Sequence, residues 1–295
     1  MRPIKLTIDP ALKELELAAK HDVATQVMGK YKSVFKGRGL EFDSYKNYTT
    51  QDDASLIDWK ASMRANNLLL KQFVEEGNLS IYFLVDVSDS MLLGSGKRLK
   101  NEYAASLAAS IAISITAAND LLGFGFLAEE LRSFHPAKGG AGTYYEFTRT
   151  LVDHKNYGGT FHFDKSLRQA MNIIPERNII ILISDFLGLK GDWKKYIQLI
   201  ASKYDVVGIC IRDPIDIELP PIEENLVVED PFSDQQVLFE SGKYRNRYHQ
   251  AAKSQIAELQ SVFNRSQSDF LSLRTDKSFA DPLIKLFRLR SEKWR

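Results

Sequence analysis

Aspartate and hydroxyl side chains follow two apolar segments of this sequence, and a third polar segment lies between them. Residues 81–85 are followed by Asp86-Val-Ser88-Asp-Ser90, and residues 179–183 by Ser184-Asp185. Between the two, Gly158-Gly159 delivers Thr160 directly before a predicted helix. Carboxylate and hydroxyl oxygens are ligands that a hard cation prefers, Mg²⁺ above all, with Mn²⁺ as an alternative. No cysteine or histidine belongs to the set, which disfavours soft metals.

The elements that must position these residues alternate along the chain. From about residue 79 onward, apolar runs typical of strands buried on both faces alternate with predicted helices. This order predicts an α/β fold, a mostly parallel Rossmann-like sheet with helices on both faces. Ligands of such sheets bind outside the carboxyl ends of the strands. The sequence therefore predicts one metal site at that edge, formed by Asp86, Ser88, Ser90, Thr160 and Asp185.

Each of the three polar segments also has a structural explanation when it is taken alone. Serine and aspartate after a strand commonly cap the next helix, and Gly-Gly-Thr is a common turn followed by a cap. Three such segments in this order, on alternating strand and helix units, favour a shared site over three independent caps.

A change in residue composition at about residue 78 predicts two domains. Residues 1–77 are polar and mixed, with a helix predicted to open at Asp9-Pro10 and short strands near residues 41–48 and 67–73, which predicts a smaller N-terminal α+β domain. Residues 78–295 form the larger domain. Four prolines interrupt its pattern within about residues 213–243, which we interpret as an insertion with a hairpin formed by residues 226–228 and 237–239.

Composition narrows the classes of function. Lysine and arginine number 39 against 38 acidic residues, so the net charge of +1 gives no general attraction to nucleic acid. The lone Cys210 permits no internal disulfide. The longest uncharged apolar stretch, residues 104–119, is shorter than the roughly 20 residues of a membrane span, and the N-terminus lacks a signal-peptide core. A cytoplasmic protein without a membrane span is expected.

The metal-site residues carry a family resemblance. Asp86-x-Ser88-x-Ser90, Thr160 and Asp185 resemble the metal-ion-dependent adhesion site of von Willebrand factor A domains, and the resemblance covers about residues 78–295. It implies that the serines and the threonine contact the metal, that the aspartates act largely through water, and that a partner carboxylate fills an open position. Phe161-His162, after the threonine, departs from the usual smaller polar residue.

The N-terminal part narrows the resemblance to one bacterial family. Gly37-Arg-Gly-Leu-Glu-Phe42, Tyr48, Asp52-Asp53, Ile57-Asp58-Trp59, Arg64 and Lys71-Gln-Phe73 resemble von Willebrand factor A proteins associated with MoxR-type AAA+ ATPases. Gln51 and Met63 depart from the small residues usual there. The resemblance implies a non-catalytic partner or adaptor of such an ATPase in complex assembly or remodelling.

Three functions compete for the same residues. The first is a metal-dependent protein-interaction module that recognises an acidic residue of a MoxR-type ATPase or its client. The second is a metal-assisted phosphoryl-transfer or hydrolytic enzyme, for which Asp89 or His162 would have to act as the base. The third is a structural protein with an empty site. The sequence favours the first, because all five ligand positions are filled and neither base lies in a recognised catalytic arrangement.

The segment around Trp59 has two interpretations. If a short helix follows Asp58, Asp58 caps it, Trp59 is buried against the main domain and Arg64 pairs with Asp52 or Asp53. These residues then attach the small domain to the large one; binding of a partner is the alternative.

Overall fold

The computed structural model of the chain describes residues 41–49, 52, 57–74, 78–219, 225–229 and 236–293. The strands of this part are β1 (Glu41–Asn47), β2 (Leu69–Val74), β3 (Ser80–Asp86), β4 (Leu121–Leu127), β5 (Leu131–Lys138), β6 (Ile179–Ser184), β7 (Asp205–Arg212), β8 (Asn225–Glu229), β9 (Gln236–Glu240) and β10 (Asp269–Arg274). Its helices are α1 (Trp59–Ala65), α2 (Lys100–Ala117), α3 (Ala141–Val152), α4 (Phe163–Ile173), α5 (Trp193–Lys203), α6 (Pro214–Ile217), α7 (Ser241–Arg265) and α8 (Ala280–Lys293). The helix predicted to open at Asp9-Pro10 lies outside the described residues.

A six-stranded sheet organises the larger part of the molecule. Its order is β10-β7-β6-β3-β4-β5, and every neighbouring pair is parallel except β4 and β5. The strand order reverses between β3 and β6, so the chain winds outward from the centre in both directions. The predicted α/β fold with a mostly parallel sheet is confirmed.

Alternate residues of the central strands enter two apolar cores, one on each face of the sheet. Ile81, Phe83 and Val85 of β3 pack with helices α2, α3 and α8, whereas Tyr82 and Leu84 pack with α4, α5 and α7. Because successive side chains of a strand point to opposite faces, a strand covered by helices on both sides must be apolar throughout. This requirement explains the uninterrupted apolar runs of β3 and β6.

Strand β5 is an element that the sequence pattern did not predict. It forms the antiparallel edge beside β4, with irregular register between Leu122 and Phe126. It contains Pro136, and Ser133 has a positive φ of 47°. Proline cannot donate a hydrogen bond to a neighbouring strand, but it is tolerated on an edge strand. Pro136, which argues against a strand in the sequence, is therefore compatible with β5 at the edge of the sheet.

Strands β1 and β2 and helix α1, here called the small unit, are joined by the antiparallel pairing of β1 with β2 and by packing of α1 on β2. Asp58 caps α1 as expected, because its Oδ1 accepts from the amides of Lys60 (3.0 Å) and Ala61 (3.1 Å). The expected burial of Trp59 is wrong: its side chain is 64% exposed. The helix instead makes its contact through Ser62, whose Oγ accepts from the Leu69 amide at 2.8 Å.

Asp52 is bonded within the small unit. Its carboxylate accepts hydrogen bonds from Lys46 Nζ (3.1 Å) and Thr49 Oγ1 (2.7 Å), so the expected pairing of Asp52 with Arg64 is replaced by local contacts. Asp53, the other expected partner of Arg64, lies outside the described residues.

The predicted hairpin is present as the antiparallel pair β8 and β9. It follows α6 and continues directly into α7. The assignment of residues 1–77 and 78–295 to two domains, with an insertion at 213–243, stays a prediction.

One prediction concerns the packing of β7 on α7. A Cβ added at Gly208 would lie 2.4 Å from a ring carbon of Phe263, whereas a Cβ at Gly96 meets no atom within 4 Å. Gly208→Ala should therefore lower the free energy of unfolding by about 1–3 kcal/mol through overpacking. The matched change Gly96→Ala should alter it by less than about 1 kcal/mol. Urea unfolding of both variants checks this; equal effects would show that Phe263 does not lie across Gly208.

Candidate metal site

The candidate site lies where the strand order of the sheet reverses. Asp86 ends β3 and Asp185 follows the last residue of its neighbour β6, so the two carboxylates meet at the carboxyl edge of the sheet. Both side chains are fully buried. The topology thus brings together the two aspartates that the sequence predicted as neighbours.

Asp86 joins the ends of the two strands. Its Oδ1 accepts a hydrogen bond from the Ser88 amide (2.9 Å), and its Oδ2 accepts one from the hydroxyl of Ser184 (2.6 Å). The Ser184 hydroxyl in turn accepts from the amide of Phe186 at 2.8 Å. Burial, followed by the nearby negative charge of Asp185, raises the pKa of Asp86 to about 7.

Ser88 and Ser90 present two buried hydroxyls beside Asp86. Their Oγ atoms lie 3.3 Å apart. Ser88 stands at the N-terminus of a short 3₁₀ turn (Asp89–Leu92), yet its side chain makes no capping hydrogen bond. The capping explanation therefore fails for Ser88, whose hydroxyl instead contacts Asp86 and Ser90.

The Gly158-Thr160 loop runs along the Asp86-Ser90 loop and is hydrogen-bonded to it. Gly158 N–H donates to the Val87 carbonyl (2.8 Å), and Gly159 exchanges two bonds with Asp89, one through the backbone and one through the Asp89 side chain (both 3.0 Å). The φ angles of Gly158 and Gly159 are +107° and +92°, a region that favours glycine.

Thr160 is placed differently from the other predicted ligands. It is only partly buried, and its hydroxyl donates to the Glu129 carboxylate at 3.2 Å. The backbone just before Thr160 is thus hydrogen-bonded to the Asp86-Ser90 loop, whereas the Thr160 side chain is hydrogen-bonded to Glu129. Helix α4 is capped at His162, so Thr160 is not a cap residue.

The first residue of α2, Lys100, is a buried charged residue of the candidate site that the sequence analysis missed. Its ammonium is fully buried and bonds Asp185 Oδ2 (2.7 Å) and Asp216 Oδ2 (3.0 Å). Burial alone would lower the pKa of Lys100, but the charges and hydrogen bonds of Asp185 and Asp216 outweigh it and raise that pKa. Lys100 is therefore charged in the folded protein.

Two further buried groups extend the cluster toward β7. Arg212 Nε donates to Cys210 Sγ (3.4 Å), and its Nη2 donates to Gln255 Oε1 (3.0 Å). Asp213 accepts from the hydroxyls of Ser95 and Thr275. Burial alone would raise the pKa of Asp213, but hydrogen bonds, first that of Ser95, outweigh it and lower the pKa.

The carboxylates at this edge are compensated unequally. One ammonium, that of Lys100, is shared by two carboxylates, those of Asp185 and Asp216. Asp86 accepts from neutral donors, the Ser88 amide and the Ser184 hydroxyl. Negative charge therefore exceeds positive charge around Asp86, and the charge of Asp185 adds to burial in raising the pKa of Asp86.

The donor set fits a hard divalent cation. Asp86, Ser88 and Ser90 supply buried oxygen atoms, those of the two serines lying 3.3 Å apart, and the excess negative charge would attract a cation. Thr160 would have to release Glu129 to add its hydroxyl. Over the described ranges, no group of three or more histidine, cysteine, aspartate or glutamate side chains is arranged to hold a metal ion.

A positional signal points to Lys100. In a doubly wound sheet the helix after a strand begins at the carboxyl edge, so a charged residue in its first turn lies at the site. Helix α2 is rich in alanine and buried along most of its length, which leaves little exposed surface for a lysine. Lys100 was overlooked because single lysines are mostly exposed.

The second prediction follows from the raised pKa of Asp86. An unfolded aspartate loses its proton near pH 3.8, whereas folded Asp86 keeps its proton to about pH 7. The folded state therefore binds more protons in this window, and the free energy of unfolding falls as the pH rises from 4 to 7. In chelator, Asp86→Asn should lose this part of the pH dependence, which denaturant titrations at each pH measure.

The exposed Asp164, paired with Arg168 on α4, provides the control. Asp164→Asn should keep the wild-type dependence on pH. If Asp86→Asn and wild type showed the same slope between pH 4 and 7, Asp86 would ionise normally and the charge imbalance would be wrong.

Comparison with known proteins identifies relatives of similar length. The chain is 25% identical over 283 residues to an uncharacterized protein of Mycobacterium tuberculosis, a match covering 95% of this chain and 89% of that protein. An uncharacterized protein of Mycobacterium bovis matches to the same extent.

Solved structures agree with the predicted fold. An aerotolerance-related membrane protein from Bacteroides fragilis superimposes with a TM-score of 0.51 at 14% identity, over 73% of this chain and 100% of that one. A von Willebrand factor type A protein from Catenulispora acidiphila has a TM-score of 0.43 at 14% identity, over 75% of this chain and 43% of that one. The superposition on the Bacteroides fragilis protein shows that the two chains share an α/β fold.

The cytoplasmic location expected from the sequence is wrong, because the Bacteroides fragilis protein that shares this fold is a membrane protein. A water-exposed domain has the same composition whether or not it belongs to a membrane protein, so composition did not justify the inference. Within the described part of this chain, no helix combines the length and apolar character needed to cross a bilayer.

The family comparison covers most of the sequence. A family model described as "Protein of unknown function DUF58" matches residues 44–258. The matched segment extends from β1 into α7 and includes all five predicted metal-site residues. The chain therefore belongs to the DUF58 family.

Proposed function

We propose that this protein is a non-catalytic, metal-dependent protein-interaction module. The observation that carries the proposal is the uncompensated negative charge at the carboxyl edge of the sheet, placed beside the two buried hydroxyls of Ser88 and Ser90. Neutral hydroxyls satisfy the coordination of a hard cation without cancelling its charge. A cation held mainly by hydroxyls therefore keeps positive charge toward solvent.

The residues of this chain define what the module binds. Ser88, Ser90 and Thr160 would contact Mg²⁺ or Mn²⁺, and Asp86 and Asp185 would supply negative charge, largely through water. The bound cation would supply a positive charge at an open position. An aspartate or glutamate on another protein is the partner group that fits such a position, since charge-assisted contacts are stronger than neutral ones.

The partner that we propose is a MoxR-type AAA+ ATPase or its client. Support comes from the residues at 37–73, outside the metal site, which resemble those of the MoxR-associated proteins. The module would act as an adaptor during assembly or remodelling of a complex.

We propose no catalytic role. Asp89, one of the two bases that an enzyme would need, holds the amide of Gly159 with its Oδ1 at 3.0 Å. The other, His162, stands exposed at the start of α4.

The third prediction concerns partner binding. Binding of the purified ATPase in Mg²⁺ should weaken tenfold or more, on the order of 1.4 kcal/mol, in Asp86→Ala or Thr160→Ala. Thr160→Ala removes a hydroxyl that would contact the cation, and Asp86→Ala removes a negative charge that would attract it. Because an ATPase itself uses Mg²⁺, the variants are compared at constant Mg²⁺ by biolayer interferometry, and chelation is tested with nucleotide-free ATPase.

Thr116→Ala is the matched control. Thr116 lies near the C-terminal end of α2, and its hydroxyl bonds the Ala112 carbonyl of its own helix. This variant should bind like wild type. A complex that survives both chelation and Asp86→Ala would place the contact surface elsewhere and contradict the proposal.

A further inference from the structure

Lys100 occupies an unusual position for a lysine. Its side chain is completely shielded from solvent, and its ammonium bonds two carboxylates, those of Asp185 and Asp216, at 2.7 Å and 3.0 Å. An ammonium donates hydrogen bonds and accepts none, so it acts here as a fixed positive charge. A solvated surface lysine cannot hold its charge at a defined point in this way.

The ion pair changes what Asp185 can offer. Its Oδ2 accepts from Lys100, and its Oδ1 accepts from the Leu187 amide at 2.9 Å. Both oxygens are thus bonded within the protein, and an ammonium that Asp185 shares with Asp216 is in direct contact with its charge. Asp86, in contrast, accepts hydrogen bonds from neutral donors, namely Ser88 and the hydroxyl of Ser184.

The two aspartates of the candidate site therefore differ in electrostatic role. A divalent cation beside Ser88 and Ser90 would be attracted by Asp86, while Lys100 would weaken the attraction that Asp185 exerts. The ammonium would also repel the incoming cation directly. Both effects lower the affinity of the site, and burial strengthens them because the surroundings screen charge poorly.

We propose that Lys100 is a specificity-determining residue that keeps the divalent-cation affinity of the free protein low. This inference rests on the metal site of the proposed function, and it explains why that site would need the carboxylate of a partner to hold the cation. With Lys100 in place, the cation is held firmly only when a carboxylate from outside adds the missing negative charge. Without Lys100, Asp185 would supply that charge from within.

Lys100→Met tests this inference, because methionine has a similar length and no charge. Calorimetric titration of the purified protein with MgCl₂ alone should show at least tenfold tighter binding in Lys100→Met than in wild type. Mg²⁺ should also raise the melting temperature of the variant more than that of wild type, since Asp185 and Asp216 are left without their cation. The matched control is Lys97→Met, a change of the same charge at an exposed lysine three residues earlier, which should leave Mg²⁺ affinity within twofold.

A second variant tests the inference in case Lys100→Met alone does not fold. Lys100→Met combined with Asp216→Asn removes one positive and one negative charge, which preserves the net charge of the cluster while freeing Asp185. It should bind Mg²⁺ more tightly than wild type. Equal or weaker binding in the variants that fold, or failure of both to fold even in Mg²⁺, would overturn the inference.

The two proposals fail separately. The titration contains no partner, so tighter binding by Lys100→Met supports the inference even if the ATPase does not bind. Equal Mg²⁺ affinities of Lys100→Met and wild type would contradict the role of Lys100, but they would not contradict metal-dependent recognition of the ATPase.

Discussion

Buried carboxylates at the carboxyl edge of the sheet impose the constraint that the rest of this structure satisfies. An ionised carboxylate out of water is costly unless a cation or several donors face it, and loss of one partner of a buried pair typically costs about 3–5 kcal/mol. Lys100 meets this demand for Asp185 and Asp216. Backbone amides and hydroxyls meet it for Asp86 and Asp213. The charge that remains uncompensated is what makes this edge a candidate site.

The constraint also fixes the neighbouring elements. Lys100 reaches Asp185 only because α2 begins at that residue, and Glu102 secures this start by accepting the Leu99 amide at 2.9 Å. Lys100 N–H also bonds the carbonyl of Leu93, which holds the preceding loop against the helix. The start of α2, the end of β6 and helix α6 are thus three elements joined through one ammonium. Their positions depend on one another.

Sequence patterns predicted the parts of the fold that burial controls. The apolar runs of β3 and β6 gave their positions, and the order of strands and helices gave the sheet that places Asp86 beside Asp185. Patterns failed where one contact overrides a preference. Pro136 disfavours a strand, so the edge strand β5 was not predicted. Tryptophan is usually expected in the core and lysine at the surface, but Trp59 is exposed and Lys100 is buried. The side-chain direction of Thr160, toward Glu129, depends on rotamers and neighbours that spacing does not encode.

Helix α7 links the β8–β9 hairpin to the surroundings of Asp216. It continues from β9 without a break and, at 25 residues, spans about 37 Å. Near its start, Tyr248 donates to the Ile215 carbonyl at 2.9 Å, and Arg245 pairs with Glu218, so contacts with α7 lie on both sides of Asp216 in the sequence. The position of the Lys100–Asp216 ion pair therefore depends on α7, a helix that contributes no ligand to the candidate site.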